Sequence, residues 1–154
     1  MRLLFVAHTV PRPQFWGDLR SYYFITGLAR NHSVRLLVNA QTVLWNDDEV
    51  DHLRERLESV HIIRSQAGST PKSKRLIRRL MLESAQSIWL KDINPDFASA
   101  IYDHIDNYKP DAVYVIHSDV FKYFAGNENS APVILDLCDA QALKFGKTGF
   151  SNWR

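Results

Sequence analysis

Cysteine is nearly absent: Cys138 is the only one in 154 residues, so no disulfide can close within the chain and a reducing compartment is the default. Long apolar runs are missing too. The one at the amino terminus is too short for a signal-peptide core, and no later segment reaches the length of a membrane span, which leaves a cytoplasmic location by elimination. Neither sign of charge dominates. Nineteen Lys and Arg against 17 Asp and Glu give a net charge of +2, so no global field draws the protein to nucleic acid and any basic surface has to be local. Several motifs are lacking as well. Without G-x-G-x-x-G a dinucleotide cofactor has little support, without G-x-x-x-x-G-K-[ST] there is no phosphate-loop NTPase, and without G-x-S-x-G there is no hydrolase elbow. The six histidines show no ligand spacing such as H-E-x-x-H, so neither a metal nor a cofactor is expected. No internal repeat is visible.

What is present organises itself around the first stretch. Leu3, Leu4, Phe5 and Val6 form a short apolar run of strand formers, the signature of a strand buried on both faces. Pro11 and Pro13 keep the next segment out of a helix, and Gly17 offers a position for a tight turn or for close approach of a ligand. Leu19, Tyr22, Tyr23, Ile25, Leu28 and Ala29 then recur at helical spacing, with Asp18 placed to cap the helix. A buried strand leading through such a loop to a helix amino terminus is the phosphate-facing half of a nucleotide-binding α/β unit.

The rest alternates. Strands are predicted at Ser33 to Val38, Val60 to Arg64, Asp111 to Ile116 and Val133 to Leu137, and helices at Glu49 to Glu58, Pro71 to about Ile88, from Asn94 to Tyr108, and Asp119 to Ala125. With 45% hydrophobic and 23% charged residues, one core and one domain, 1–154, are expected. The fold class is α/β, a Rossmann-like three-layer domain with a mostly parallel sheet of about five or more strands. The usual winding sets the first strand beside the fourth. The loops carrying His8, Gly17 and Asp18 and carrying His117, Ser118 and Asp119 would then face each other, with Asp136 and Asp139 alongside.

Each candidate has two readings. His8 and His117 serve either acid-base work and hydrogen bonds to a ligand hydroxyl, or structural hydrogen bonding at a strand end. Asp136 and Asp139 serve either a site or the cap of the next helix. On the helix from Pro71, Lys72, Lys74, Arg75, Arg78 and Arg79 fall opposite Leu76, Ile77, Leu80, Met81 and Ile88. That is a solvated basic face or a surface for anionic lipid headgroups and phosphorylated ligands, the second implying a peripheral contact at the inner membrane.

The opening MRLLFVAHTVPRPQFWGDLRSYYFITGLARNHSVRLLV, through Pro11, Pro13, Gly17, Asp18, Arg20, Ser21, Leu28 and Ala29, resembles the amino-terminal domain of GT-B glycosyltransferases of the retaining group 1 (family 4) class, particularly those of exopolysaccharide and PEP-CTERM-associated clusters. PDAVYVIHSDVFKYF and APVILDLCDAQALKF are similar to that family's fourth strand and to its strand ending in an Asp-x-x-Asp type motif, here Asp136 and Asp139. The resemblance covers nearly the whole chain. It implies the acceptor-binding half of a two-domain enzyme that moves a sugar from a nucleotide-sugar donor to a saccharide or lipid-linked acceptor. It also implies a carboxyl-terminal donor-binding domain outside these residues, no required metal, and no turnover by this part alone; the near-balanced charge separately argues for no nucleic-acid partner. Asp18, Arg20 and the Gly17 loop would then lie near the donor diphosphate and acceptor. Two other readings remain open on the residues: a stand-alone module binding a nucleotide or sugar, and a non-catalytic interaction domain.

Overall fold

The computed structural model describes residues 1–40, 47–64, 93–124 and 130–136. They form an α/β domain with a five-stranded, all-parallel sheet in the order β3-β2-β1-β4-β5. The strands are β1 (Arg2–Ala7), β2 (Ser33–Ala40), β3 (Ser59–Arg64), β4 (Ala112–Ile116) and β5 (Val133–Asp136). The helices are α1 (Trp16–Leu28), α2 (Asp47–Arg54), α3 (Pro95–Tyr108) and the single turn α4 (Ser118–Phe121). β1 lies at the centre, its Phe5 level with Leu36 of β2 and with Tyr114 of β4. The winding predicted from the alternating pattern is therefore present: the first and fourth strands are neighbours.

Both faces of the sheet are covered, which is why β1 reads as a continuous apolar run. Alternation along the strands sends Leu4, Val6, Leu37, Val113 and Val115 toward α3 and α4, where they meet Phe97, Ile101, Ile105 and Val120. Phe5, Leu36, Val38 and Ile116 point the other way, against Tyr22 and Ile25 of α1 and Val50 and Leu53 of α2. These are the three layers, with a core on each side of the sheet.

α3 shows how local signals set its limits. The Asn94 side chain accepts hydrogen bonds from the amides of Asp96 and Phe97 at 3.1 and 3.4 Å, and Pro95 follows in the first turn, where its missing N–H costs nothing. The helix ends at Lys109, whose N–H still reaches the Ile105 carbonyl at 2.9 Å while its left-handed backbone (φ 48°) turns the chain away, before Pro110 forbids continuation.

At the amino-terminal edge of the sheet, Glu58 accepts hydrogen bonds from Ser33 and from Arg35 Nε, the latter at 2.7 Å, while the Arg35 guanidinium lies 4.0 Å from the centre of the Tyr108 ring. Burial pushes the Tyr108 hydroxyl pKa up, and the Ser33 hydrogen bond leads the groups that hold the Glu58 carboxyl down.

Three sequence expectations need correction. The first helix starts at Trp16, not Leu19: the amides of Asp18 and Leu19 already bond the Phe15 carbonyl at 3.0 and 2.9 Å, so Gly17 sits inside the first helical turn and not in the loop. Asp18 is consequently not the cap. Phe15 holds that position without a side-chain hydrogen bond, and Asp18 is an acidic residue of the first turn, favourably placed against the helix dipole. Tyr23, one of the residues recurring at helical spacing, is exposed, because Tyr22, Ile25 and Thr26 define the buried stripe and Tyr23 falls about 100° away from Tyr22. Smaller shifts of boundary also occur, α2 spanning Asp47–Arg54 and α4 ending at Phe121. The predicted helix from Pro71 to Ile88 lies outside the described residues, with its basic residues Lys72, Lys74, Arg75, Arg78 and Arg79.

Candidate functional site

The carboxyl ends of β1 and β4 deliver two loops to the same edge of the sheet, and there the chain concentrates polar side chains. His8 follows β1 directly, and its Nδ1 stands 3.5 Å from Oδ2 of Asp119, in the first turn of α4. The two side chains keep 35% and 32% exposure, enough for a ligand to reach them. Oδ1 of Asp119 is enclosed by protein and meets no hydrogen-bond donor among the described residues. An enclosed carboxylate oxygen without a donor carries a desolvation cost, and that cost sits at this edge of the sheet.

His117 turns the chain between β4 and α4 with φ 73° and ψ 146°, a conformation that a residue with a Cβ adopts at a cost of roughly 1–3 kcal/mol. The turn is held by its neighbours: the His117 N–H donates to the Asp136 carbonyl at 3.3 Å, and its carbonyl accepts from the Val120 N–H at 3.3 Å. Backbone strain thus sits where the two central strands release their loops. Ser118 begins α4 directly after it.

On the β1 side, Asp18 accepts from the Thr9 hydroxyl at 3.3 Å and from Arg12 Nε at 3.5 Å. Arg12 is a buried cation, and its guanidinium carbon lies 3.7 Å from the centre of the Phe15 ring. Asp18 and Phe15 together offset the cost of burying that charge and fix the proline-containing loop onto the start of α1.

Arg20 and Asp136, both singled out in the sequence, meet each other. Nη2 of Arg20 donates to both carboxylate oxygens of Asp136 at 2.9 Å, and the Tyr114 hydroxyl donates to Oδ2 at 3.1 Å. The pair ties α1 to the last strand, with Asp136 buried and Arg20 reaching in from the surface. Asp139 lies outside the described residues. The structure therefore brings His8 and Asp119 into contact and sets Asp18, His117 and Ser118 on the same edge, while Arg20 and Asp136 form a neighbouring ion pair.

No protein-family model matches the chain, and no curated protein matches it. Among solved structures it is similar to one titled as a deacetylase-bog complex in the biosynthesis pathway of teicoplanin, with 19% identity over 90% of this chain and 68% of that one, at a TM-score of 0.47. A likeness that distant carries nothing about chemistry, and the architecture rests on the strand order and registers themselves.

Sequence reasoning passed over a second polar group near this edge. Asn39, near the end of β2, is buried and donates through Nδ2 to the Tyr123 hydroxyl at 3.3 Å; its Oδ1 accepts from Asn94 Nδ2, also at 3.3 Å. The Tyr123 hydroxyl in turn accepts from the Asn94 backbone N–H at 3.0 Å. This network joins β2, the cap of α3 and the segment after α4. An asparagine inside the apolar run of β2 was the available signal, since a buried amide demands partners. Arg12 was equally legible as a charge between two prolines, but its partners were not.

Proposed function

We propose that this chain is the acceptor-binding amino-terminal part of a GT-B glycosyltransferase of the retaining group 1 (family 4) class, acting in polysaccharide or glycolipid assembly on a saccharide or lipid-linked acceptor. The observation that carries the reading is the His8–Asp119 contact across the carboxyl ends of β1 and β4, at the reversal in strand order where open α/β sheets receive ligands. The chemistry of the groups there suits sugar hydroxyls. An imidazole both donates and accepts, and the Asp119 carboxylate, about a third exposed beside His8, is a strong acceptor.

In this reading the chain's own residues bind and orient. Asp119 accepts from an acceptor hydroxyl while it holds His8, and the strained His117 turn keeps the two loops at fixed separation. The nucleotide-sugar donor would be gripped chiefly by groups of a second domain. Preorganised contributions from both sides are needed to stabilise charge in transfer, so this chain alone should bind acceptor without turnover.

The test is calorimetric titration of the 154-residue chain with saccharide and lipid-linked saccharide acceptors, beside an assay with a panel of nucleotide sugars. Acceptor binding that weakens tenfold or more in Asp119→Ala, with no sustained transfer, is the expected result. Transfer by the chain alone would move the active site elsewhere. Binding of nucleotide sugars without any acceptor would favour a stand-alone nucleotide-binding module.

A further inference from the structure

Away from the carboxyl edge, two histidines that are distant in sequence face each other on the flank of the sheet. His61 stands on β3, at the edge of the sheet, and His104 stands on α3. Nε2 of His104 and Nδ1 of His61 are 3.2 Å apart, the ring centres 4.9 Å apart and the planes nearly perpendicular at 88°. We infer that His61 and His104 form a binding site for a first-row divalent transition ion, with Cu²⁺ held most tightly and Zn²⁺ and Ni²⁺ also accepted.

The distances carry the argument. Two imidazole nitrogens bound to one ion at about 2.1 Å, with about 100° between them, stand about 3.2 Å apart, which is the separation found. With each ring centre a further ~1.1 Å back along its nitrogen–metal line, the centres come about 5 Å apart. A straight N–H···N bond at the same nitrogen separation would instead set them about 5.5 Å apart. The observed 4.9 Å shows that the rings are tilted off the nitrogen–nitrogen line, as two ligands of one ion are. Without an ion, one ring donates its N–H to the other. On binding, that proton moves to the far nitrogen of the same ring, and both facing lone pairs become available without net change of charge.

The surroundings permit a cation. Arg35 is near enough to act on His104, but it is paired with Glu58, and Asp103 opposes it from the preceding position of α3. No group of three or more His, Cys, Asp or Glu ligands occurs among the described residues, so among these the two imidazoles are the protein's ligands and water completes the shell. Such a donor set favours imidazole-seeking ions in the order Ni²⁺ < Cu²⁺ > Zn²⁺ and leaves Mg²⁺ aside, since Mg²⁺ requires oxygen ligands. An ion there would fasten the edge strand β3 to helix α3, so it would stabilise the fold in proportion to its occupancy.

The experiment is titration of the purified chain with CuCl₂, ZnCl₂ and MgCl₂, followed by calorimetry, by melting and, for Cu²⁺, by electron paramagnetic resonance. Expected are one Cu²⁺ per chain with a two-nitrogen signature, a melting temperature that rises with Cu²⁺ and Zn²⁺, and no response to Mg²⁺. His61→Gln and His104→Gln should each lower Cu²⁺ affinity tenfold or more, and His52→Gln should leave it unchanged. His61 is exposed, so His61→Gln keeps the test decisive even if the α3 variant folds poorly. Absence of Cu²⁺ binding, or affinity within twofold of the parent in the double variant, overturns the site.

Discussion

Replacing Asn39 by alanine tests whether the buried network at the end of β2 holds the carboxyl edge together. Asn39 is 1% exposed and makes two hydrogen bonds, each 3.3 Å long. Their net loss is worth about 1 kcal/mol each or slightly less at that length, and the Asn94 amide deprived of its buried acceptor adds about 1–2 kcal/mol, for a total of about 3 kcal/mol. For a chain of this size that corresponds to a fall of roughly 6–12 °C in melting temperature. Asn94→Ala should cost at least as much, since the same residue caps α3 through the amides of Asp96 and Phe97. The assay is urea unfolding of both single variants and the double variant. Because the two residues share a hydrogen bond, the double variant should lose less than the sum, by about 1 kcal/mol. Strict additivity, or an Asn39→Leu variant as stable as the parent, would refute the claim that the network braces this edge.

Arg20→Ala should destabilise by only about 1 kcal/mol, because Arg20 is 65% exposed and water screens the pair, and the difference from the parent should shrink in high salt; a large, salt-independent loss would mean that Asp136 depends on Arg20 far more than the geometry implies. The Glu58 carboxyl is held below the ordinary glutamate range, first by the Ser33 hydrogen bond and, against the opposing effect of burial, by Arg35 and Tyr108. A group whose pKa is depressed on folding contributes stability that is present above its unfolded value and is lost as pH falls through its folded value. The stability advantage of the parent over Glu58→Gln should therefore be full near pH 7 and be lost as pH falls below the ordinary glutamate range, as read by urea midpoints, and a gap independent of pH would count against it. If the basic face predicted at Lys72, Lys74, Arg75, Arg78 and Arg79 meets lipid headgroups, the chain should bind anionic vesicles at low salt. The triple change of Arg75, Arg78 and Arg79 to Gln should abolish that binding, whereas equal binding to neutral vesicles would leave a solvated face.

Local order was legible from the chain because its causes are local. A continuous apolar run has to lie between two layers, so β1 could be placed without coordinates, and Asn94-Pro95 announces a helix start because those two residues answer the needs of free amides. Even the neighbouring of β1 and β4 followed from alternation, since few windings suit such an order of elements. Alternation by itself thus places His8 and His117 on one edge. Tertiary structure decided everything that depends on a partner. Spacing could not tell that Asp18 answers Thr9 and Arg12 and caps nothing, because the cap is fixed by where the preceding loop turns at Phe15. Nor could it show that Arg20 and Asp136, 116 residues apart, spend their charges on each other, that His8 finds Asp119, or that His61 and His104, 43 residues apart, bring two nitrogens to chelating distance. Periodicity records which face of an element is apolar; which polar groups meet across the faces is set only when the layers pack.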